Sequence, residues 1–191
     1  MKVLIRGHRK LNSQYHDPHS PTVTWCYVEE QLKTALLRCR EKYGEVKLIH
    51  GGAIGVDQVA AYQAVQLEIP HIWVCPFGTV EIQSLRWPGT VKTWINQVLL
   101  PSAEVVALNY PTIQRDAFQK RNVYMADMLG KDDLDICVWD GVKKGGTWNG
   151  TKYGLDLHRP GLFDAPSSFR MLRLNPYAQQ DGVKAWSVLA E

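Results

Sequence analysis

Two glycine-rich turns, each followed by a helical pattern, are the parts of this chain best suited to bind an anion. The first is Gly51-Gly52-Ala53-Ile54-Gly55-Val56-Asp57, and it follows the strand pattern Val46–His50. Its closely spaced glycines let backbone N–H groups approach a ligand, and the helix behind them directs its positive dipole end to the same point. The pattern is neither the dinucleotide fingerprint nor a P-loop. A glycine-rich turn without a ligand is an equally good interpretation of this motif alone.

The second turn, Gly141–Gly150, follows the apolar strand pattern Leu134–Asp140. We expect a helix to begin after it, at about Thr151, where hydroxyl groups either cap the helix or donate to a phosphate. Asp140 at the strand end is suited either to a ligand or to capping the turn. Trp148 is the aromatic residue that we expect to stack on a base.

Two further segments add positive charge. Gly7-His8-Arg9 follows the first strand pattern, and Phe118-Gln119-Lys120-Arg121-Asn122 lies on a predicted helix. The planar guanidinium of Arg121 suits phosphate, and Asn122 can both donate and accept hydrogen bonds. Simpler interpretations remain open, since Arg121 would also pair with Asp116 or Asp127. Asp57 would equally serve as an acidic first-turn residue of its helix.

Strand and helix patterns alternate along the chain and position these segments. The apolar strand patterns indicate a mostly parallel sheet with helices on both faces, an α/β Rossmann-like fold with five to seven strands. In such sheets ligands bind beyond the carboxyl ends of the strands, where both glycine turns and the Gly7-His8-Arg9 segment fall. The predicted helices are Thr24–Tyr43, Asp57–Gln66, Val91–Leu99, Ile113–Leu129, Thr151–Leu157 and a weak one at Asp181–Leu189. The remaining predicted strands are Val3–Arg6, Ile72–Cys75, Val105–Leu108 and Met171–Leu174.

The composition bounds the class of protein. The chain has 191 residues and a net charge of +3, which permits an anionic ligand but argues against nucleic acid as a partner. No apolar run is long enough to span a bilayer and no leader pattern is present, so we expect a cytoplasmic protein that does not bind membranes. The four cysteines form no CxxC pair and are interpreted as buried, reduced thiols. His16 and His19 are interpreted as solvated loop residues, and no metal or cofactor is expected.

Taken together, these motifs resemble the SLOG superfamily, a Rossmann-like group that includes DprA/Smf, the lonely-guy phosphoribohydrolases and the YpsA/YspA proteins. The first glycine turn with Ala60, Ala61 and Ala64 is similar to the DprA-type motif, and Gly7-His8-Arg9 occupies the place of a short Gly-x-Arg loop. The segments around Arg121, Trp139-Asp140-Gly141 and Gly145-Gly146-Thr147 resemble the YpsA/YspA branch more closely. The resemblance implies one domain over residues 1–191, with an irregular insertion at 77–112 and a C-terminal tail at 176–191.

The resemblance implies a site for a nucleotide or a nucleotide-derived ligand, such as an ADP-ribose-like or phosphoribosyl compound, and a homo-oligomer. Alternatives are a nucleotide N-glycosidase related to the lonely-guy enzymes and DprA-like nucleic-acid binding. The second turn lacks the proline and the glutamate of the phosphoribohydrolase loop, so whether the ligand is turned over stays open. The candidate ligand-binding residues are Gly7, Arg9, Gly51, Gly52, Ala53, Gly55, Asp57, Arg121, Asn122, Asp140, Gly145, Gly146, Thr147 and Thr151.

Overall fold

The fold is built on one seven-stranded sheet. The structure, a computed structural model, describes residues 1–17, 20–111, 115–159 and 169–190. The strand order is β4-β3-β2-β1-β5-β6-β7, and every neighbouring pair is parallel except β6 and β7. The α/β class with a mostly parallel sheet is thereby confirmed. The strands are β1 Lys2–Gly7, β2 Lys47–His50, β3 His71–Cys75, β4 Ala103–Ala107, β5 Leu134–Val138, β6 Arg170–Leu174 and β7 Trp186–Ala190.

Helices cover both faces of the sheet. α1 and α2 pack together over β1 and β2, and α5 and α6 pack together on the opposite face. Connections that are right-handed on either side of β1 require this arrangement. The helices are α1 Val23–Tyr43, α2 Val56–Gln66, α3 Val80–Ser84, α4 Gly89–Trp94, α5 Arg115–Asp127, α6 Gly145–Leu157 and α7 Ala178–Asp181. A π-helical turn, Ile95–Leu99, and a 3₁₀ turn, Leu100–Ser102, follow α4.

The strand order reverses between β1 and β5, and this reversal fixes where a ligand site can form. From β1 the chain continues outward to β2, β3 and β4, and then returns to place β5 on the other side of β1. The loops after β1 and β5 therefore lead away from each other and leave a crevice beyond the strand ends. The loop after β2 and the first turn of α6 lie beside this crevice.

Three features differ from the sequence-based expectation. α6 begins at Gly145 rather than at about Thr151, and within it Gly150 packs against the buried Arg6, where a β-carbon would clash. The end of the C-terminal tail is strand β7 rather than a helix, since the Trp186–Ala190 segment pairs with β6. His16 is buried rather than solvated, with its Nε2 2.6 Å from a carboxylate oxygen of Glu29. Pro18 and His19 lie outside the described residues.

Three further expectations concern membrane-spanning helices, the cysteines and the 77–112 segment. None of their helices combines the length and the apolar character that crossing a bilayer requires. All four cysteines are free thiols, and Cys26 is exposed rather than buried. The 77–112 segment contains α3, α4, the π-helical and 3₁₀ turns and the edge strand β4.

Candidate functional site

A cleft of about 620 Å³ lies at the reversal of strand order, beyond the carboxyl ends of β1 and β5. Residues from the loops after β1 and β2, from α5 and from the start of α6 line it. Ala53, next to Gly52, and Gly146 share this cleft, so both glycine turns face the same space. The lining residues are Arg6, Gly7, His8, Arg9, Ala53, Asp57, Arg86, Phe118, Gln119, Arg121, Asn122, Lys144, Gly145, Gly146 and Thr147.

The amides of the first glycine turn already have partners within the protein. Asp57 Oδ2 accepts from the N–H groups of Gly51 and Ala53, at 3.2 and 3.3 Å. The N–H of Gly52 donates to Nδ1 of His50 at 3.1 Å. Contrary to the expectation from the sequence, these three amides are not free to bind a phosphate.

The carbonyl groups of the same turn are held as firmly. Nη1 of Arg121 and Nε2 of Gln83 donate to the Gly51 carbonyl at 2.7 and 2.8 Å. Gln58 Nε2 donates to the Gly52 carbonyl at 3.4 Å. Because side chains from three other elements fix this backbone, the first turn is a rigid wall of the cleft.

Arg121 and Asp57 are both buried in this wall, at 5% and 4% exposure. Burial raises the pKa of Asp57, and the attraction of Arg121 partly offsets that effect. Burial likewise lowers the pKa of Arg121, and Asp57 counteracts it. Arg121 also donates from Nε and Nη2 to Oδ1 of Asn122, at 3.3 and 3.0 Å. The surface partners considered from the sequence bind elsewhere, since Asp116 pairs with Lys120 and Asp127 accepts from Tyr153.

The opposite wall is the amino terminus of α6. Lys144 is its N-cap residue, and none of the described side chains caps the helix there. The first N–H groups of a helix have no partner within the helix and carry the positive end of its dipole. Gly145, Gly146 and Thr147 line the cleft at this end, so this helix terminus is the part of the cleft suited to an anion.

Exposed cations surround that terminus. Arg9, Arg86 and Lys144 line the cleft and are exposed, and Asp57 is the one carboxylate among the described lining residues. The guanidinium groups of Arg9 and Arg121 lie 5.5 and 5.7 Å from the ring centre of Phe118. The cleft therefore combines positive charge with an aromatic surface.

Arg6 is a cleft residue that the sequence analysis missed. It is buried, its Nε donates to Asp135 on β5 at 3.2 Å and its Nη2 contacts the same carboxylate. Among the described residues, none is a hydrogen-bond partner of Nη1. Burial acts to lower the pKa of Arg6, but Asp135 and Cys137 outweigh it and the pKa is raised. A basic and an acidic residue in two otherwise apolar strand patterns was the sequence signal for this pair.

Arg6 also explains two of the glycines within α6. A β-carbon at Gly150 would lie 2.7 Å from Arg6 Nη1, and one at Gly154 would lie 2.9 Å from Nη2. Only glycine lets the helix pass this close to the guanidinium. Gly150, which falls in the predicted turn, and Gly154, which falls in the predicted helix, are therefore both packing positions of α6.

The structure separates the sequence-predicted residues into two groups. Those that line the cleft are Gly7, Arg9, Ala53, Asp57, Arg121, Asn122, Gly145, Gly146 and Thr147, and those that do not are Gly51, Gly52, Gly55, Asp140 and Thr151. Thr151 is fully buried and donates to the Thr147 carbonyl at 2.9 Å. Asp140 Oδ1 accepts from the N–H of Val142 at 2.9 Å, as in the capping alternative. Trp148 lies outside the cleft lining and stacks on Trp139, with ring centres 5.2 Å apart.

A chain of hydrogen bonds leads from the first turn into the core. Nε2 of His50 lies 2.9 Å from Nδ1 of His71, and Nε2 of His71 lies 3.0 Å from Oγ of Ser102. The Gly52 amide donates to the remaining nitrogen of His50, so both rings are neutral and each donates from Nε2. Burial lowers the pKa of His50 well below its usual value, and burial also lowers that of His71.

We therefore expect acid to destabilise the protein through this pair. The unfolded chain binds a proton on each histidine near pH 6.5, whereas the folded state resists protonation. The stabilisation is complete above about pH 6.5 and is lost as the pH falls, by up to about 1.4 kcal/mol per pH unit for each histidine. Urea denaturation between about pH 7 and 5 measures this slope. His50→Gln should reduce the slope by about half, and an unchanged slope would contradict this account.

Comparisons with known proteins are informative at the level of the fold. No protein-family model and no curated protein matches the chain. The chain is similar in structure to DNA processing protein A (DprA) from Streptococcus pneumoniae, with a TM-score of 0.56, 18% identity and coverage of 96% of this chain and 57% of that one. It is also similar to DprA from Helicobacter pylori, with a TM-score of 0.53, 17% identity and coverage of 81% and 60%. The chain thus spans about three fifths of the length of these DprA chains.

One expectation about partners is overturned by this likeness. The near-neutral charge predicts that nucleic acid is not a partner, but the Helicobacter pylori DprA, which is similar in fold, has a single-stranded DNA binding mode. The near-neutral charge of this chain therefore does not exclude nucleic acid as a partner. The chain has the Rossmann-like fold of the DprA proteins, as the SLOG resemblance implied, and its assignment to the YpsA/YspA branch stays a prediction.

Proposed function

We propose that the cleft binds single-stranded nucleic acid through its phosphates. One phosphate binds at the amino terminus of α6, and neighbouring phosphates contact Arg9, Arg86 and Lys144. The observation that carries the proposal is that these exposed cations and the uncapped helix terminus face one cleft, within the described residues. Asp57 is the carboxylate in that cleft, and it accepts hydrogen bonds from two backbone amides. Its negative charge is therefore shared with these amides and is not directed at the ligand alone.

Two further observations support a single strand over a duplex. The volume of about 620 Å³ accommodates a nucleotide unit, whereas duplex DNA presents its phosphates along a wide, rigid surface. Phe118 in the cleft wall offers a ring on which an unstacked base can pack. The chain is also similar in fold to part of the Helicobacter pylori DprA, a protein with a single-stranded DNA binding mode.

Binding to a fluorescein-labelled oligothymidylate, followed by fluorescence anisotropy, tests the proposal. We expect Arg9→Gln and Lys144→Gln each to weaken binding about 3- to 10-fold. Each should also reduce the slope of log K against the logarithm of the salt concentration by about one, the value for one lost phosphate contact. Both side chains are exposed, so these variants should fold normally. Lys131→Gln removes the same charge just before β5, at the opposite edge of the sheet, and should bind like the parent protein. Equal weakening by all three variants, or no binding by the parent, would contradict the proposal.

A free nucleotide is the second candidate, and the size of the cleft favours it, since small-molecule sites measure about 300 to 1,000 Å³. Competition with thymidine monophosphate distinguishes the two candidates. If thymidine monophosphate displaces the oligonucleotide only at concentrations far above the dissociation constant of the oligonucleotide, the strand is the ligand. Displacement by the mononucleotide at an equal concentration supports the nucleotide as the ligand.

A further inference from the structure

A second cavity shares no lining residue with the cleft. It is a slot of about 560 Å³ between α1 and strands β5, β6 and β7. Its floor is apolar, formed by Leu134, Ile136, Leu172 and the α1 residues Ala35 and Cys39. On this face none of the described residues forms a long helix over β6 and β7, so these residues leave the slot open.

Two polar bridges from α1 to the sheet define the ends of the slot. At one end, Trp186 Nε1 on β7 donates to Gln31 Oε1 at 2.8 Å. At the other, Nη2 of Arg170 on β6 donates to the hydroxyl of Tyr43. The α1 segment between Gln31 and Tyr43 is about 18 Å long at 1.5 Å per residue. The slot is therefore about as long as an extended small molecule.

Charge is distributed unevenly along this length. Arg38, Lys42 and Arg170 line the slot toward the Tyr43 end, and none of the described lining residues is acidic. A hydrogen bond from Lys42 and the charge of Arg170 lower the pKa of the Tyr43 phenol, consistent with a positive potential there. The Trp186 end carries the indole ring and Ala35. The slot is thus cationic at one end and apolar along its floor.

We propose that this slot binds a single amphiphilic anion, with its carboxylate among Arg38, Lys42 and Arg170 and its apolar body against Leu172 and Trp186. The geometry matches the usual design of small-molecule sites, an apolar lining with a few convergent polar groups that fix orientation. Burial of the apolar body against the floor contributes binding free energy, and the cations select a negatively charged ligand and fix its orientation. This site is separate from the nucleic-acid cleft, and neither proposal depends on the other.

Isothermal titration with decanoate below its micellar concentration tests the proposal. We expect saturable binding of one decanoate per chain, and no saturable binding of decyltrimethylammonium, which has the same tail and the opposite charge. Arg38→Gln combined with Lys42→Gln should weaken decanoate binding about tenfold. Lys33→Gln, an exposed lysine on the same helix outside the slot, should bind decanoate like the parent protein. Ala35→Trp, which fills the slot, should abolish binding.

The remaining outcomes would overturn the proposal. Equal binding of the anionic and cationic amphiphiles would show non-specific apolar adsorption. Failure of decanoate to bind, together with sedimentation on phosphatidylcholine–phosphatidylglycerol vesicles that needs Arg38 and Lys42, would identify a membrane surface instead. Thermal melting of each variant separates loss of binding from loss of folding.

Discussion

Gly52→Ala should lower the free energy of unfolding by about 2 to 4 kcal/mol. Gly52 has φ = 64°, a left-handed conformation that costs any residue with a β-carbon. A β-carbon there would also overlap the Trp73 indole. That ring is fully buried, lies 5.5 Å from the ring centre of His50 and donates to Gln83 at 3.3 Å. The indole cannot move without breaking the contacts that hold the first turn.

Urea denaturation measures this effect, and Gly89→Ala is the matched control. Gly89 has no atom within 4 Å of the position of an added β-carbon, so this substitution should leave the free energy of unfolding within a few tenths of a kcal/mol of that of the parent, or raise it. Equal stability of the Gly52→Ala and Gly89→Ala variants would show that the first turn is not tightly packed. The acid-dependent slope assigned to His50 and His71 should also change in Gly52→Ala, because the turn supplies the amide that fixes the tautomer of His50.

Arg121→Met should destabilise the protein by about 2 to 4 kcal/mol at neutral pH. The substitution preserves apolar contact with Phe118 but leaves the Asp57 carboxylate buried without its compensating charge. The Gly51 carbonyl keeps Gln83 as a donor, so loss of one hydrogen bond does not account for the whole effect. Loss of the buried charge partner is the larger contribution.

The pH dependence and a second substitution test this cause. Without Arg121 the pKa of Asp57 rises further in the folded state, so the folded state gains a proton as the pH falls and the deficit of the variant shrinks. Asp57→Asn in the Arg121→Met background should recover part of the lost stability, because the amide is neutral. Additive losses in the double variant, with a deficit independent of pH, would show that the two groups do not act on each other.

Much of the scaffold could be predicted from the sequence, because its elements are set by local patterns. The apolar segments around Leu4, Ile49, Val74 and Ile136 identify strands, and the spacing of apolar residues along α1 identifies a helix. The convergence of both glycine turns on one edge follows from the parallel sheet alone. These inferences do not depend on which side chains meet in the interior.

The errors have the opposite origin, in contacts between distant residues. Gly145, Gly146 and Gly150 predict a loop by propensity, but all three belong to α6, and at Gly150 the approach of Arg6 from β1 leaves no room for a β-carbon. The amides of the first turn look free in the sequence, and only the fold shows that Asp57 returns to bind two of them. Arg86 carries no local signal, since it belongs to the irregular segment before α4.

Backbone amide chemical shifts on addition of an oligothymidylate test the central claim most directly. We expect the ¹H–¹⁵N signals of Gly145, Gly146 and Thr147 to shift with saturation, since their N–H groups face the phosphate. The signals of Gly51, Gly52 and Ala53 should change little, because those N–H groups donate to Asp57 and His50. Large shifts at the first turn with none at the start of α6, or no saturable shift in either, would contradict this account.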